Sequence, residues 1–216
     1  AAVRTNAGRT DGAWLDVKAL SERAPQNIQV GYMTAVLAAQ RGDAAMSREA
    51  LDQASAALSK LTDEALDRLP QALLLGGAIE TARGNWERAA RYLEGLLRRD
   101  PGNAGARLML GEAYLRTGQV DKCIASLLEV AHLNAGNPEF LALLGRAYMQ
   151  RGDHAQAMQQ FERAVHLAPD AAGIRTYLGI SRLQIGGIDA GAAVADLQKA
   201  MAIAPDSPAP GIVLAM

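Results

Sequence analysis

The stretch LLGRAYMQRGDHAQAMQQFERAVHLAPD, residues 143–170, decides the fold. Leu, Ala, Met, Gln, Arg and Glu dominate it, and these are strong helix formers. Yet Gly145 sits in its first half, Gly152 in its middle and Pro169 near its end. Read as two helices, the stretch gives each breaker a task. Gly145 removes a side chain so that a neighbouring helix can approach, at a cost of roughly 1 kcal/mol against Ala. Gly152 follows Arg151, where a left-handed conformation ends the first helix. Asp153 suits the N-cap of the second. On that second helix Ala157, Phe161 and Ala164 recur at helical spacing and form one apolar stripe. Pro169 stops it, because proline cannot extend the hydrogen-bond ladder. The unit is a helix–turn–helix pair with small residues at its contacts.

The unit recurs. Leu144-Gly145 is flanked by Leu110-Gly111 and Leu178-Gly179, each 34 residues away, and Gly76-Gly77 lies one further step upstream. A fixed period of this length marks stacked units, none of which buries its apolar face alone. The pattern divides the chain into a lone helix at about 12–24, ending at Pro25, and a degenerate unit at about 28–61 carried by Thr34-Ala35, Leu51 and Ala54. Four units follow at about 70–103, 104–137, 138–171 and 172–207, then a further helix in 208–216. Two irregularities stand out. The step from Ala35 to Gly77 is 42 residues, eight more than the period, with the surplus near LSKLTDEALDRLP (58–70). There Thr62-Asp63-Glu64 reads as a helix start, and Pro70 either kinks that helix or begins another. The last unit needs two additional residues in its turn, GGIDAG (186–191), before Ala193, Leu197, Ala200 and Pro205 fall into register. Neither AAVRTNAGRT at the start nor SPAPGIVLAM at the finish reads as a polar capping helix. The chain is therefore expected to be a piece of a longer array, or to cover its ends in a dimer.

Composition agrees with helices. Half of the 216 residues are apolar but only 4% are aromatic, so Ala and Leu carry the apolar content of an all-α protein. A net charge of −1, from 22 basic and 23 acidic residues without a basic stripe, argues against nucleic-acid binding. The single cysteine, Cys123, excludes an internal disulfide and a multi-cysteine metal site, and takes a small buried position as an inert thiol. No apolar run is long enough to span a membrane. His132 and His166 lie one period apart, expected at about 10 Å or more, too far to share an ion. They read instead as residues in the last turn of a helix, and His154, after a turn Asp, is expected to be exposed. The Gly pairs at 76–77 and 186–187 follow no strand and make no phosphate loop. Asp153 and Glu162 read as surface charges. Without a Ser, His and acid constellation, the chain is expected to be no enzyme and to hold no metal or cofactor.

The segment 138–169 resembles a tetratricopeptide repeat, with Leu141, Leu144-Gly145, Tyr148, Ala157, Phe161, Ala164 and Pro169 completing the family signature. The unit from 104 matches with Leu110-Gly111, Tyr114 and Leu127, and has Cys123 in place of the small Ala. The unit from 70 keeps Gly77, Ala89, Leu93 and Pro101 but has Glu80 where the Tyr stands. The resemblance implies a right-handed α-solenoid of stacked hairpins whose first helices line a concave face that binds a protein or peptide segment. The positions it nominates are Tyr32, Val36, Leu74, Ala78, Leu108, Glu112, Ala142, Arg146, Met149, Thr176 and Ile180, with Leu115 and Leu183 beside them. Their apolar character suits an amphipathic helix or an extended segment. Members that hold a peptide's C-terminal carboxylate use a Lys, Asn and Arg clamp; apart from Arg146 those types are missing.

A narrower resemblance joins AAGIRTYLGISRLQIGG (171–187) and AVADLQKAMAIAPD (193–206) to bacterial tetratricopeptide lipoproteins of the PEP-CTERM/exosortase exopolysaccharide system. It implies a periplasmic or outer-membrane parent; otherwise a cytoplasmic one is expected. The alternative to groove binding is self-assembly, with the end faces stacking on further copies. A third reading, a repeat segment accessory to an enzyme, differs only in the partner.

Overall fold

The computed structural model describes residues 2–24, 26–185 and 190–215. The turn residues 186–189 of the last unit, with their Gly pair, lie outside the described residues. Among the described residues there are thirteen α-helices and no strand. They are α1 (Ala2–Arg23), α2 (Ile28–Gln40), α3 (Ala44–Leu58), α4 (Asp63–Arg68), α5 (Pro70–Ala82), α6 (Trp86–Leu97) and α7 (Ala104–Arg116). Then come α8 (Val120–Leu128), α9 (Pro138–Arg151), α10 (His154–Leu167), α11 (Ala172–Ile185), α12 (Ala190–Ile203) and α13 (Pro208–Ala215). The chain forms two compact units that divide at Ala113 and Tyr114, inside α7. Within the first, α2 packs on α3 and α5 on α6; within the second, α9 packs on α10 and α11 on α12.

The turns between paired helices follow from glycine. Gly42, Gly84, Gly118 and Gly152 all have positive φ, between 74° and 92°, a region that other residues rarely adopt. From Gly84 to Gly118 and from Gly118 to Gly152 the step is 34 residues, against 42 from Gly42 to Gly84. The surplus residues include the six of α4. Thr62 caps it by accepting a hydrogen bond from the Ala65 N–H at 3.2 Å, and Pro70 occupies the first turn of α5. Of its two readings, Pro70 begins a new helix.

Packing repeats with the sequence. On the second helix of four pairs, or in the turn just after it for Val130, a small residue, a large one and another apolar one are buried in turn: Ala89, Leu93 and Leu96; Cys123, Leu127 and Val130; Ala157, Phe161 and Ala164; Ala193, Leu197 and Ala200. The large member meets a glycine of the first helix. A Cβ on Gly77 would lie 2.4 Å from Leu93, one on Gly145 2.7 Å from the Phe161 ring, and one on Gly179 2.8 Å from Leu197. Nothing larger than glycine fits at that helix spacing.

Four local expectations need correction. The first helix begins at Ala2, about ten residues before the expected start; no proline lies between Ala2 and Trp14 to stop it. Asp153 stands at the N-cap position of α10 but makes no capping hydrogen bond; its carboxylate instead accepts from Arg151 Nε at 2.6 Å. α8 stops at Leu128, because the following amides of Val130, Ala131, Leu133 and Asn134 bond three residues back in tight turns. His132 therefore lies in a turn, whereas His166 does sit in the last turn of α10. His154, expected in the open, is half-buried.

Replacing Gly145 with Leu should lower stability by at least 1–3 kcal/mol through overpacking against Phe161. A thermal melt followed by circular dichroism checks this, and an unchanged Tm would refute the packing account.

Candidate functional site

In the second unit the site is built from α10 upward. Phe161 is wholly buried against Gly145, and its ring stacks on Tyr177 of α11, with centroids 5.5 Å apart and planes inclined by 12°. The Arg146 guanidinium, on α9, lies 5.9 Å from the Tyr177 centroid. The ring is thus positioned by a hydrophobic stack and a cation, each contact contributing about 0.5–1 kcal/mol, yet 36% of Tyr177 remains exposed. Ala142, Arg146 and Met149 on α9 and Ile180 on α11 are half-buried. Thr176 is buried, and its hydroxyl donates to the Ala172 carbonyl at 2.9 Å. Leu183 is exposed and Leu115 buried.

In the first unit the nominated residues are mainly apolar. Val36 and Leu74 are exposed, as is Met33, on the packed pair α2 and α5. Tyr32 packs against the core formed by Ala35, Leu51, Leu58 and Ile79, and Ala78, Leu108 and Glu112 are half-buried.

Tyr177 was missed from sequence because its position within the repeat is filled by Leu143 one period earlier, an ordinary core residue. Two charged networks were missed as well, although one was signalled by Glu80 in the tyrosine position. Glu80 is completely buried. Ser55 donates to its Oε1 at 2.6 Å; Arg83 and Asn85 donate to its Oε2 at 2.9 and 2.8 Å; Arg88 pairs with it at 3.3 Å. Burial alone would raise its pKa, but these hydrogen bonds and the Arg88 charge outweigh it and hold the carboxyl below its ordinary value. Arg83 also reaches Asp52 on α3, tying two successive hairpins together. The position one period after Tyr148 is Arg182. It pairs with the buried carboxylate of Asp196 and, at 2.9 Å, with Glu162. Arg175 approaches Asp196 at 3.2 Å and donates to the Pro169 carbonyl at 2.8 Å. Such a cluster resembles an acid–base site only in composition: every carboxylate is matched by guanidinium groups, so both networks read as structural.

Cys123 is buried. Among the described residues no group of three His, Cys, Asp or Glu side chains is placed to hold a metal ion. No helix among them is long and apolar enough to cross a membrane.

Comparison with known proteins then places the chain. Tetratricopeptide-repeat family models match residues 80–131 and 138–171. These two segments carry tetratricopeptide repeats. It is 31% identical over 77 residues to the BBSome complex member BBS4 of Bos taurus, covering 36% of this chain and 15% of that protein. It is 28% identical over 142 residues to the protein CTR9 homolog of Arabidopsis thaliana, covering 64% and 13%. The chain thus spans less than a sixth of the length of either relative. Among solved structures, MamA aligns with a TM-score of 0.66 at 22% identity, over 76% of this chain and 95% of that one. YrrB, described as a tetratricopeptide-repeat protein with an unusual peptide-binding site, aligns with a TM-score of 0.62 at 18% identity, over 93% and 98%. The fold is the all-α solenoid of tetratricopeptide hairpins, an architecture of protein–protein interaction scaffolds that in general are not enzymes.

The Glu80 network sets a pH dependence. A carboxyl held below its ordinary pKa adds stability above the unfolded value, which is lost as pH falls through the folded value. Glu80→Ala should cost roughly 3 kcal/mol at neutral pH by leaving Arg83 and Arg88 without their buried partner. The variant should also lose part of the acid-induced destabilisation of the parent. Urea melts from pH 7 down to pH 3 measure both, and parallel curves would show that Glu80 is not the group responsible.

Proposed function

We propose that the first-helix faces of the repeats hold a peptide or protein segment, with Tyr177 and Arg146 as the recognition point in the second unit. The observation that carries this reading is the partly exposed Tyr177 ring, held by contacts with Phe161 and Arg146. A rigid aromatic offers contact area at small entropic cost, because it has few torsions left to lose. Ile180 and Leu183 on the same helix supply apolar surface, while Met149 adds an adaptable contact. The ligand best suited is an amphipathic or extended segment with an apolar residue to place on the ring. Exposed Val36 and Leu74 give the first unit a comparable apolar face. The peptide-binding site described for YrrB supports the class of ligand.

A finer proposal concerns setting. The resemblance carried by residues 171–187 and 193–206 supports a role in a Gram-negative envelope assembly that organises exopolysaccharide or surface-protein export.

Peptides selected from a random display library against this chain test the first proposal. Tyr177→Ala and Arg146→Ala should each weaken the selected peptides about tenfold, near 1.4 kcal/mol, while the helical content stays unchanged. Changing Glu112 and Arg146 together should weaken them further. Selected peptides that bind all these variants as well as the parent would refute the assignment.

A further inference from the structure

The eight-residue insertion creates a feature that the regular repeats lack. α4 is short, and Leu61 and Leu66 anchor it by packing on the core of the first unit. Between α4, the end of α3 and the flank of α6 lies a cleft of about 590 Å³. Its floor is apolar, from Leu61, Leu66 and Leu73, and its wall along α6 carries Arg91, Tyr92 and Arg98. The site therefore belongs to a second helix and its inserted neighbour, and none of the residues nominated on the first-helix faces lines it.

Its charge is unbalanced. Arg88 also lines the cleft, but it is committed to Glu80 at 3.3 Å and to the Ser59 hydroxyl at 2.9 Å. Arg91 and Arg98 are exposed and form no ion pair among the described residues. Asp63 is the one acidic residue among the described lining, in a chain whose net charge is −1. Seven residues separate the two arginines, two helical turns and about 10 Å along one face of α6. Gly95 lies between them, and a side chain there would press on Leu73 at 3.3 Å and reach toward Arg98 at 3.5 Å, so glycine keeps this wall open.

We propose that this cleft is a second binding site, which takes an acidic amphipathic helix from a protein partner. Two of the helix's carboxylates, seven residues apart, match Arg91 and Arg98 in spacing and sign. Leucine-like side chains between them enter over the Leu61, Leu66 and Leu73 floor. Arginine suits this role because its planar fork pairs bidentately with carboxylate. A cleft of this size falls within the range of small ligand sites and holds a few side chains at a time. Electrostatic pairing at an exposed rim makes such binding sensitive to salt.

The test is a fluorescein-labelled helical peptide carrying Glu at positions seven apart with Leu between, titrated by fluorescence anisotropy against the full chain. Saturable binding is expected, at least tenfold weaker for the same peptide with Gln for Glu, and weakened by added salt. Arg91→Glu combined with Arg98→Glu should abolish it, and Arg91→Gln with Arg98→Gln should reduce it at unchanged melting temperature. Arg146→Ala should leave it unaffected, which separates this site from the Tyr177 face. No saturable binding, or equal binding by the Glu and Gln peptides or by the parent and the double variants, would overturn the proposal. So would binding of phosphatidylserine vesicles through the same arginines in place of the peptide, which would assign the site to a lipid surface.

Discussion

Three of the hairpins depend on a glycine that the large side chain of the partner helix covers. Leu93 over Gly77, Phe161 over Gly145 and Leu197 over Gly179 are the same contact in three of the repeats. Glycine lowers helix propensity, so no helix carries it here for its own sake. What offsets the cost is the complete burial of the covering residue, about 1.5–3 kcal/mol for a side chain of this size. The contact also sets register. Sliding a helix by one residue would bring a Cβ into a space that holds none, so the stack has a single alignment rather than several of similar energy.

Once that contact is fixed, the position one turn farther along the first helix faces the neighbouring elements, and its chemistry varies. Tyr114 and Tyr148 fill it with rings over which Lys122 and Arg151 lie at 5.7 and 5.3 Å. Glu80 and Arg182 fill it with charges, and each is surrounded by partners of opposite sign. The exchange is possible because the position is buried but lies beside polar turn residues such as Asn85, which donates to Glu80. A buried ion pair of this kind adds little net stability over a well-packed ring. Its consequence is directional: Arg83 selects Asp52 on the preceding hairpin, a contact that a tyrosine does not specify.

The repeat was legible in the sequence because it rests on steric facts that a single residue type encodes. A glycine in a helix-forming stretch, a glycine at a turn and a proline after an alanine stripe each have few physical meanings, and residues 143–170 contain all three. The burial of Ala157, Phe161 and Ala164 follows from their spacing alone. The candidate site was less legible. Whether a first-helix residue reaches water depends on how far the next helix overlaps it, and Thr176 and Leu115 are covered where Val36, Leu74 and Leu183 are not. Tyr177 and the Asp196 network depend on side chains from three helices meeting, which no period reports. Capping was intermediate: Asn137 accepts from the Glu139 and Phe140 amides as an N-cap should, whereas Asp153 is drawn away by the nearby charge of Arg151.

Departures from the period therefore change the surface more than the repeats themselves do. A regular repeat satisfies its own contacts and presents nearly the same surface each time, so it discriminates poorly between ligands. The insertion at 58–70 breaks that sameness. It adds a helix of six residues, too short to be stable by itself, which persists because Leu61 and Leu66 are anchored in the core beneath it. Because α4 follows no repeat register, it cannot fill the flank of α6 as another hairpin would, and the cleft beside Arg91 and Arg98 results. The same reasoning applies to Tyr177, where a core leucine position has become a partly exposed ring. In both places the scaffold keeps its glycine contacts intact while the neighbouring surface no longer matches the repeat.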